Sequence, residues 1–181
     1  KNLSLTGAID QALVYLLGLN FVIGLLSVLL LTGAGLCIGK QRAGTVTGML
    51  AVTFIPMAVL SFALWSEILA TLLLCAFIYT FTNMLVRKKF SYLWFSSLGL
   101  LVGAQIMVRV SLVPWMGFAA LFVFISLRNS AGNKALALKG IVFVLSIALI
   151  WAPWIIRNAV SLNKFVPLTT HSGTVWFDGM G

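Results

Sequence analysis

The sequence predicts an all-α fold, a polytopic transmembrane bundle of about six spanning helices with one of them broken at Pro56. Hydrophobic residues make up 61% of the chain, charged residues make up 8%, and the mean hydropathy is +1.11. Soluble domains carry about a quarter charged residues and about half apolar residues. The apolar residues also form runs of the length that a helix needs to cross a bilayer, about 20 residues. The chain is therefore predicted to be an integral membrane protein.

Short basic or polar gaps separate the apolar runs and set the limits of the predicted helices. The predicted helices cover residues 13–38, 43–55, 68–86, 92–108, 114 to just before 128, and 138–156. Lys40-Gln41-Arg42 ends the first helix. Pro56 ends the second, because proline lacks a backbone donor and disfavours helix in the residue before it, and an irregular apolar segment follows at 57–65.

Two regions are expected along the chain. Residues 1–158 form a transmembrane helical region, and residues 159–181 form the start of a loop or tail on the outer face. The chain begins with Lys1 and shows no signal peptide, so it is expected to be part of a longer protein.

The distribution of charge predicts the orientation in the membrane. If the residues before the first helix lie outside, eight of the basic residues fall on one side, and the positive-inside rule makes that side cytoplasmic. These residues are Lys40, Arg42, Arg87, Lys88, Lys89, Arg128, Lys134 and Lys139. The three acids, Asp10, Glu67 and Asp178, fall on the opposite side. A multi-pass protein of the cell (inner) membrane is predicted, with its C-terminal tail outside and its functional groups on the outer face.

Composition also argues against other functions. A net charge of +9 and a pI of about 10.2 would favour nucleic-acid binding in a soluble domain, but here the cations lie between membrane runs. Cys37 and Cys75 lie inside apolar runs and are predicted to be small core residues. No Gly-x-Ser-x-Gly elbow supports a hydrolase triad from His171, Ser172 and Asp178, and too few ligands are present for a metal site.

Pairs of glycines at a spacing of four residues are predicted to permit close helix packing. They are Gly35 and Gly39, Gly44 and Gly48, and Gly99 and Gly103.

Ionisable residues near membrane depth are the candidates for function, because each costs energy to insert. Glu67 begins the third predicted helix, where a carboxylate stabilises the helix dipole or orients a substrate hydroxyl or a cation. Arg109 follows Gln105 by four residues, so both are predicted to project from one face of the fourth helix, away from the cytoplasmic cations. Arg109 is either an interfacial anchor or a ligand for an anion such as phosphate. Arg157 and Asn158 are either an interfacial arginine followed by an Asn that ends the sixth helix, or a third candidate site.

The segment from Ala152 to Gly173 carries a resemblance to a known family. Pro153-Trp154, then Arg157-Asn158, a short polar spacer and Lys-Phe-Val-Pro-Leu-Thr-Thr at 164–170 resemble a signature of bacterial GT-C glycosyltransferases. These enzymes are related to the dolichyl-phosphate-mannose-protein mannosyltransferases (glycosyltransferase family 39). The resemblance extends over residues 13–181.

Further segments support the resemblance, with two departures. Ser66-Glu67 is similar to a Ser-Glu or Thr-Glu pair of the family, and the run from Gly99 to Arg109 is similar to its Gly-Leu-x-x-Gly-x5-Arg segment. The family's proline directly after this basic residue is replaced by Val110. Where the family has Asn-Gly-Gly the chain has His171-Ser172-Gly173, so His171 is either a neutral hydrogen-bonding replacement or a titrating group.

The resemblance implies a GT-C-like fold and the transfer of a sugar from a polyprenyl-phosphate carrier to an outer-face acceptor, which is a protein, a lipid or a glycan. It implies that Arg109, Gln105, Arg157, Asn158 and His171 bind substrate and that Glu67 supports catalysis. No cofactor and no metal-binding residues are expected in this chain. The family's catalytic acid lies in a first outer loop after an additional N-terminal helix, so the base is expected upstream of Lys1 and the fragment alone is expected to be inactive. The competing interpretation is a transporter or flippase for a lipid-linked or small-molecule substrate, for which midplane charges and symmetric halves would be typical.

Overall fold

The computed structural model describes residues 2–53, 67–109 and 133–162, together with helical positions at 114, 117–118, 121–122 and 124–125. All secondary structure in these residues is helical, which confirms the all-α prediction. The four helices are α1 (Asn2–Thr53), α2 (Glu67–Val86), α3 (Tyr92–Val108) and α4 (Asn133–Leu162).

Three helical stretches in the described ranges are long and apolar enough to cross a membrane, Gln11–Thr53, Glu67–Val86 and Lys134–Ser161. Their exposed surfaces are rich in large apolar side chains, which is typical of helices surrounded by lipid. The chain is therefore a helical membrane protein.

About six spans were predicted, whereas the described residues contain three candidate spans. The difference has three reasons. The second predicted span corresponds to the part of α1 after Lys40, residues 41–53, which is too short to cross the hydrocarbon core. With 17 residues, α3 is about 25 Å long, shorter than the ~30 Å hydrocarbon core. The fifth predicted helix lies largely outside the described residues, as does the predicted break at Pro56.

A sharp turn divides α1 into two arms, 2–38 and 41–53. Gly39 and Lys40 have non-helical backbone angles, and the second arm folds back against the first. The positions in contact across the turn are Gly35 with Thr47, Gly44 with Leu36, and Gly48 with Thr32. The predicted end of the first helix at Lys40 is therefore confirmed, and these glycines pack closely, as their spacing predicted.

The chain forms two compact units, residues 1–89 and 90–181, and in the first of them α2 packs against the long arm of α1. Gly33 lies against the ring of Tyr79. One turn further along both helices, the thiol of Cys37 donates a hydrogen bond to Asn83 Oδ1 at 3.4 Å. Because both residue numbers increase together, the arm and α2 run parallel.

In the second unit α3 and α4 also run parallel. Gly99 lies against Phe143, and Gly103, one turn later, lies against Ile147 and Ile150. The Ser146 hydroxyl lies 3.0 Å from Ser96 Oγ and 2.8 Å from the carbonyl oxygen of Val142. The apolar core between these helices includes buried Phe95, Leu98, Val102 and Ile106 on α3 and Phe143 on α4.

The end of α4 differs from the prediction. The helix was expected to stop near Ile156, after Pro153, but it continues through Pro153 to Leu162. Proline removes one backbone donor, and membrane helices tolerate this because neighbouring groups bind the freed carbonyl. Arg157 and Asn158 therefore lie on a helix rather than at its end. The division into regions 1–158 and 159–181 stays a prediction, because residues after 162 lie outside the described ranges.

Candidate functional site

Glu67 is the first residue of α2 and is half-buried. Its carbonyl oxygen accepts a hydrogen bond from Thr71 Oγ1 at 2.7 Å, and its carboxylate lies in the first turn, where a negative charge stabilises the helix dipole. The 20 residues of α2 separate Glu67 from the basic turn at Arg87 by about 30 Å. Glu67 thus lies at the end of its unit opposite to that cluster of cations, as the charge pattern predicted.

Gln105 and Arg109 lie at the C-terminal end of α3. Gln105 is buried, with 3% of its surface exposed, and Arg109 is half-buried. The backbone of Arg109 is extended, with φ −150° and ψ 105°, and its N–H still donates to the Gln105 carbonyl oxygen at 2.9 Å. Because Arg109 caps the helix instead of continuing it, helical spacing does not place its side chain on the face of Gln105. That the two side chains share one face therefore stays a prediction.

Arg157 and Asn158 lie in the last two turns of α4. The Arg157 guanidinium is 5.5 Å from the centre of the Trp154 ring, a cation–π distance, and Arg157 is exposed. Asn158 is buried, with 8% of its surface exposed. All buried side-chain nitrogen and oxygen atoms of the described residues have a hydrogen-bond partner, so Gln105 and Asn158 belong to satisfied networks.

The parallel packing of α3 and α4 places the two arginines near one end of the second unit. Since Gly103 lies against Ile147, Arg109 is level with Pro153, one helical turn before Arg157. The axial separation of the two positions is therefore about 6 Å. Lys134 and Lys139 lie at the start of α4, at the other end of the unit. Two guanidinium groups at one end could together bind a phosphate.

A shallow, largely open apolar groove of about 510 Å³ lies on the surface of α4 before this arginine end and is lined by residues of α4 alone. Its lining residues are Val142, Leu145, Ser146, Ala148, Leu149 and Ala152. The groove ends about one turn before Arg157, so an apolar chain in it would place an attached anionic group near the arginines.

Gln105 and Asn158 lie at this same end of the second unit, next to Arg109 and Arg157 along the chain, whereas Glu67 and His171 do not belong to the described part of this unit. Glu67 belongs to the first unit, and His171 lies outside the described residues, as do Ser66 and the segment 164–170. No group of three or more His, Cys, Asp or Glu residues within the described ranges could hold a metal ion.

Sequence reasoning missed two part-buried polar contacts between the described helices, Cys37 with Asn83 and Ser96 with Ser146. The available signal was the presence of amide and hydroxyl side chains inside apolar runs, where a polar group needs a partner. It also missed the positive φ angles of Lys40 and Lys88, for which residue type carries no signal.

Comparison of the chain with models of protein families, with curated proteins and with solved structures found no match. The assignment of a function therefore depends on the residues and geometry described above.

Proposed function

We propose that this chain is part of a membrane glycosyltransferase with a GT-C-like arrangement of about six spans. The enzyme transfers a sugar from a polyprenyl-phosphate carrier to an acceptor on the outer face of the membrane. The observation that carries this proposal is the position of Arg109 and Arg157 at one end of the second unit, within about one helical turn of each other along the axis.

Charge and shape in the second unit support a lipid-linked anionic substrate. Lys134 and Lys139 occupy the end of the unit opposite to the arginines. By the positive-inside rule the lysine end faces the cytoplasm, which places the arginines at the outer interface. The apolar groove on α4 leads toward the arginines and suits the polyprenyl chain, with the phosphate at their level.

In the proposed reaction the anomeric carbon bonds to the acceptor oxygen or nitrogen as its bond to the phosphate oxygen breaks. The acceptor proton passes to a carboxylate that the family resemblance places upstream of Lys1. Negative charge then develops on the leaving phosphate, where a fixed guanidinium stabilises it more than in the ground state. Glu67 is assigned a supporting role in orienting the acceptor or a neighbouring cation.

The test is transfer activity of the full-length protein in reconstituted membranes, measured with a lipid-phosphate sugar donor. Arg109→Lys keeps the charge but loses the planar fork, and Arg109→Ala loses both. We expect Arg109→Ala to lower turnover by about 10²–10³ and Arg109→Lys to lower it by less, as for removal of one donor that stabilises developing charge.

Lys134→Ala is the matched control, because Lys134 is an exposed cation at the opposite end of the same unit. It should leave turnover unchanged. Full activity of both Arg109 variants, with folding confirmed by thermal unfolding, would make Arg109 an interfacial anchor and remove the main support for the proposal.

A further inference from the structure

The first unit carries two basic turns that come together at one end, here called the basic end. It comprises Lys40, Arg42, Arg87, Lys88 and Lys89, all of which are exposed. The contact of Cys37 with Asn83 at 3.4 Å holds the two helices side by side just before these turns. Lys40 follows Cys37 by three residues and Arg87 follows Asn83 by four. Both turns therefore begin within about one helical turn of the same level.

Within the described part of the first unit, no carboxylate lies near the basic end. Glu67 lies at the far end of α2, about 30 Å away along a helix of 20 residues. Asp10 lies near the start of α1, about 40 Å from Cys37 along the helix axis. Cations without an internal counter-ion at such close spacing repel one another, and an external anion would relieve this repulsion.

The backbone at two of the five residues is unfavourable for any side chain. Lys40 has φ 58° and ψ −152°, a region that essentially only glycine occupies without strain. Lys88 has φ 50° and follows the end of α2, where its N–H bonds to Leu85 O and the N–H of Lys89 bonds to Met84 O. Glycine is the usual residue in that motif.

The first turn does contain a glycine, Gly39, directly before Lys40. Gly39 has φ −125°, which any residue adopts, whereas the lysine occupies the position that needs glycine. Two lysines thus occupy strained positions in separate turns at the same end of the unit. Strained backbone of this kind clusters at functional sites.

We propose that the basic end binds the headgroup of an anionic phospholipid. Ile38 and Val86, which directly precede the two turns, are 72% and 52% exposed, so lipid-facing apolar surface adjoins the cations. The cations therefore lie at the level of the bilayer headgroups, where each basic residue is attracted to anionic lipid. The positive-inside rule explains on which side of the membrane the basic end lies. It does not explain why lysine occupies two positions, 40 and 88, whose backbone angles favour glycine. This inference is independent of the proposed function.

The test compares thermal unfolding of the full chain in bilayer discs of phosphatidylcholine alone and of phosphatidylcholine with phosphatidylglycerol. The unaltered chain should melt about 2–4 °C higher in the anionic discs. The double variant Lys40→Gly with Lys88→Gly should lose this rise. In phosphatidylcholine the same variant should melt at or above the temperature of the unaltered chain, because glycine relieves the backbone strain.

The double variant Lys134→Gln with Lys139→Gln is the matched control, since it removes the same charge from the second unit and should keep the rise. Arg42→Gln with Arg87→Gln removes charge at the basic end without a change at either strained position, and it should lose the rise. Inorganic phosphate added to phosphatidylcholine discs should not reproduce it.

A rise retained by either variant at the basic end would overturn the proposal. An equal loss in the Lys134 and Lys139 control would also overturn it, because general surface charge would then be responsible. Stabilisation by inorganic phosphate alone would identify a free anion and not a lipid headgroup as the ligand.

Discussion

Gly99→Ala is the substitution for which the structure predicts the clearest effect. A Cβ atom at position 99 would meet the backbone of Phe143, with the carbonyl carbon at 3.2 Å, and the Cβ of Ser146 at 2.8 Å. Carbon atoms in contact prefer about 3.5–4.0 Å, so α3 and α4 would have to separate by about 0.7 Å or more. Neither obstructing group is the flexible end of a side chain, and the separation would loosen every contact between the two helices.

The magnitude follows from two opposing terms. Overpacking of a close-packed core costs about 1–3 kcal/mol. Replacing a glycine inside a helix by alanine gains up to about 1 kcal/mol from helix propensity. Gly140→Ala isolates the second term, because Gly140 lies on α4 with no atom within 4 Å of the added Cβ. We therefore expect Gly140→Ala to be neutral or stabilising and Gly99→Ala to be less stable than Gly140→Ala by about 1–3 kcal/mol.

The assay is thermal unfolding of both variants and the unaltered chain in the same detergent. In a chain of this size each kcal/mol shifts the melting temperature by about 2–4 °C. Equal melting temperatures for Gly99→Ala and Gly140→Ala would refute the close approach of α3 and α4 at Gly99. The parallel register that depends on this approach would then be wrong as well.

Two further predictions concern the site and the topology. Glu67→Gln in the full-length protein should abolish sugar transfer with normal expression if Glu67 organises the active site; an active variant that is less stable by about 0.5–2 kcal/mol would leave it a helix-end residue only. Cysteine at Ser91, beside the basic turn after α2, should resist an impermeant thiol reagent in intact cells, whereas cysteine at Ser161 near the end of α4 should react, both in a background with Cys37 and Cys75 replaced by serine. Labelling at Ser91 but not at Ser161 would reverse the predicted orientation.

Much of the fold could be predicted because helix formation in a membrane depends on local sequence. Every backbone group in the bilayer must bond within its own segment, so an apolar run becomes a helix and a polar or basic gap ends it. The bounds 92–108 were predicted as the structure has them, and the break at Lys40 falls where the first basic gap begins. Pro153 misled the prediction because its effect on a helix depends on the groups around it, which the sequence does not show.

The candidate site was predictable only in its residue types. An arginine inside or beside an apolar run is a candidate functional residue because it is costly to insert into a membrane. This argument selected Arg109 and Arg157 one by one and did not place them together. Their position at one end of a unit depends on Gly103 packing against Ile147, a contact between residues far apart in the sequence. The sequence likewise did not show that the exposed Arg157 guanidinium lies above Trp154 or that Asn158 is buried.

The sequence by itself determined that the protein is a helical membrane protein, that helices end near Lys40, at Val86 and at Val108, and which cations lie next to apolar runs. Only the tertiary structure decided that α2 runs parallel to the long arm of α1 and that α3 runs parallel to α4. The physical reason is that apolar residues surround these helices on all sides, so no amphipathic stripe indicates which face packs. Packing partners are instead selected by close fit at small residues such as Gly33 and Gly99 and by buried polar contacts such as that of Asn83, and these depend on atoms brought together from distant parts of the chain.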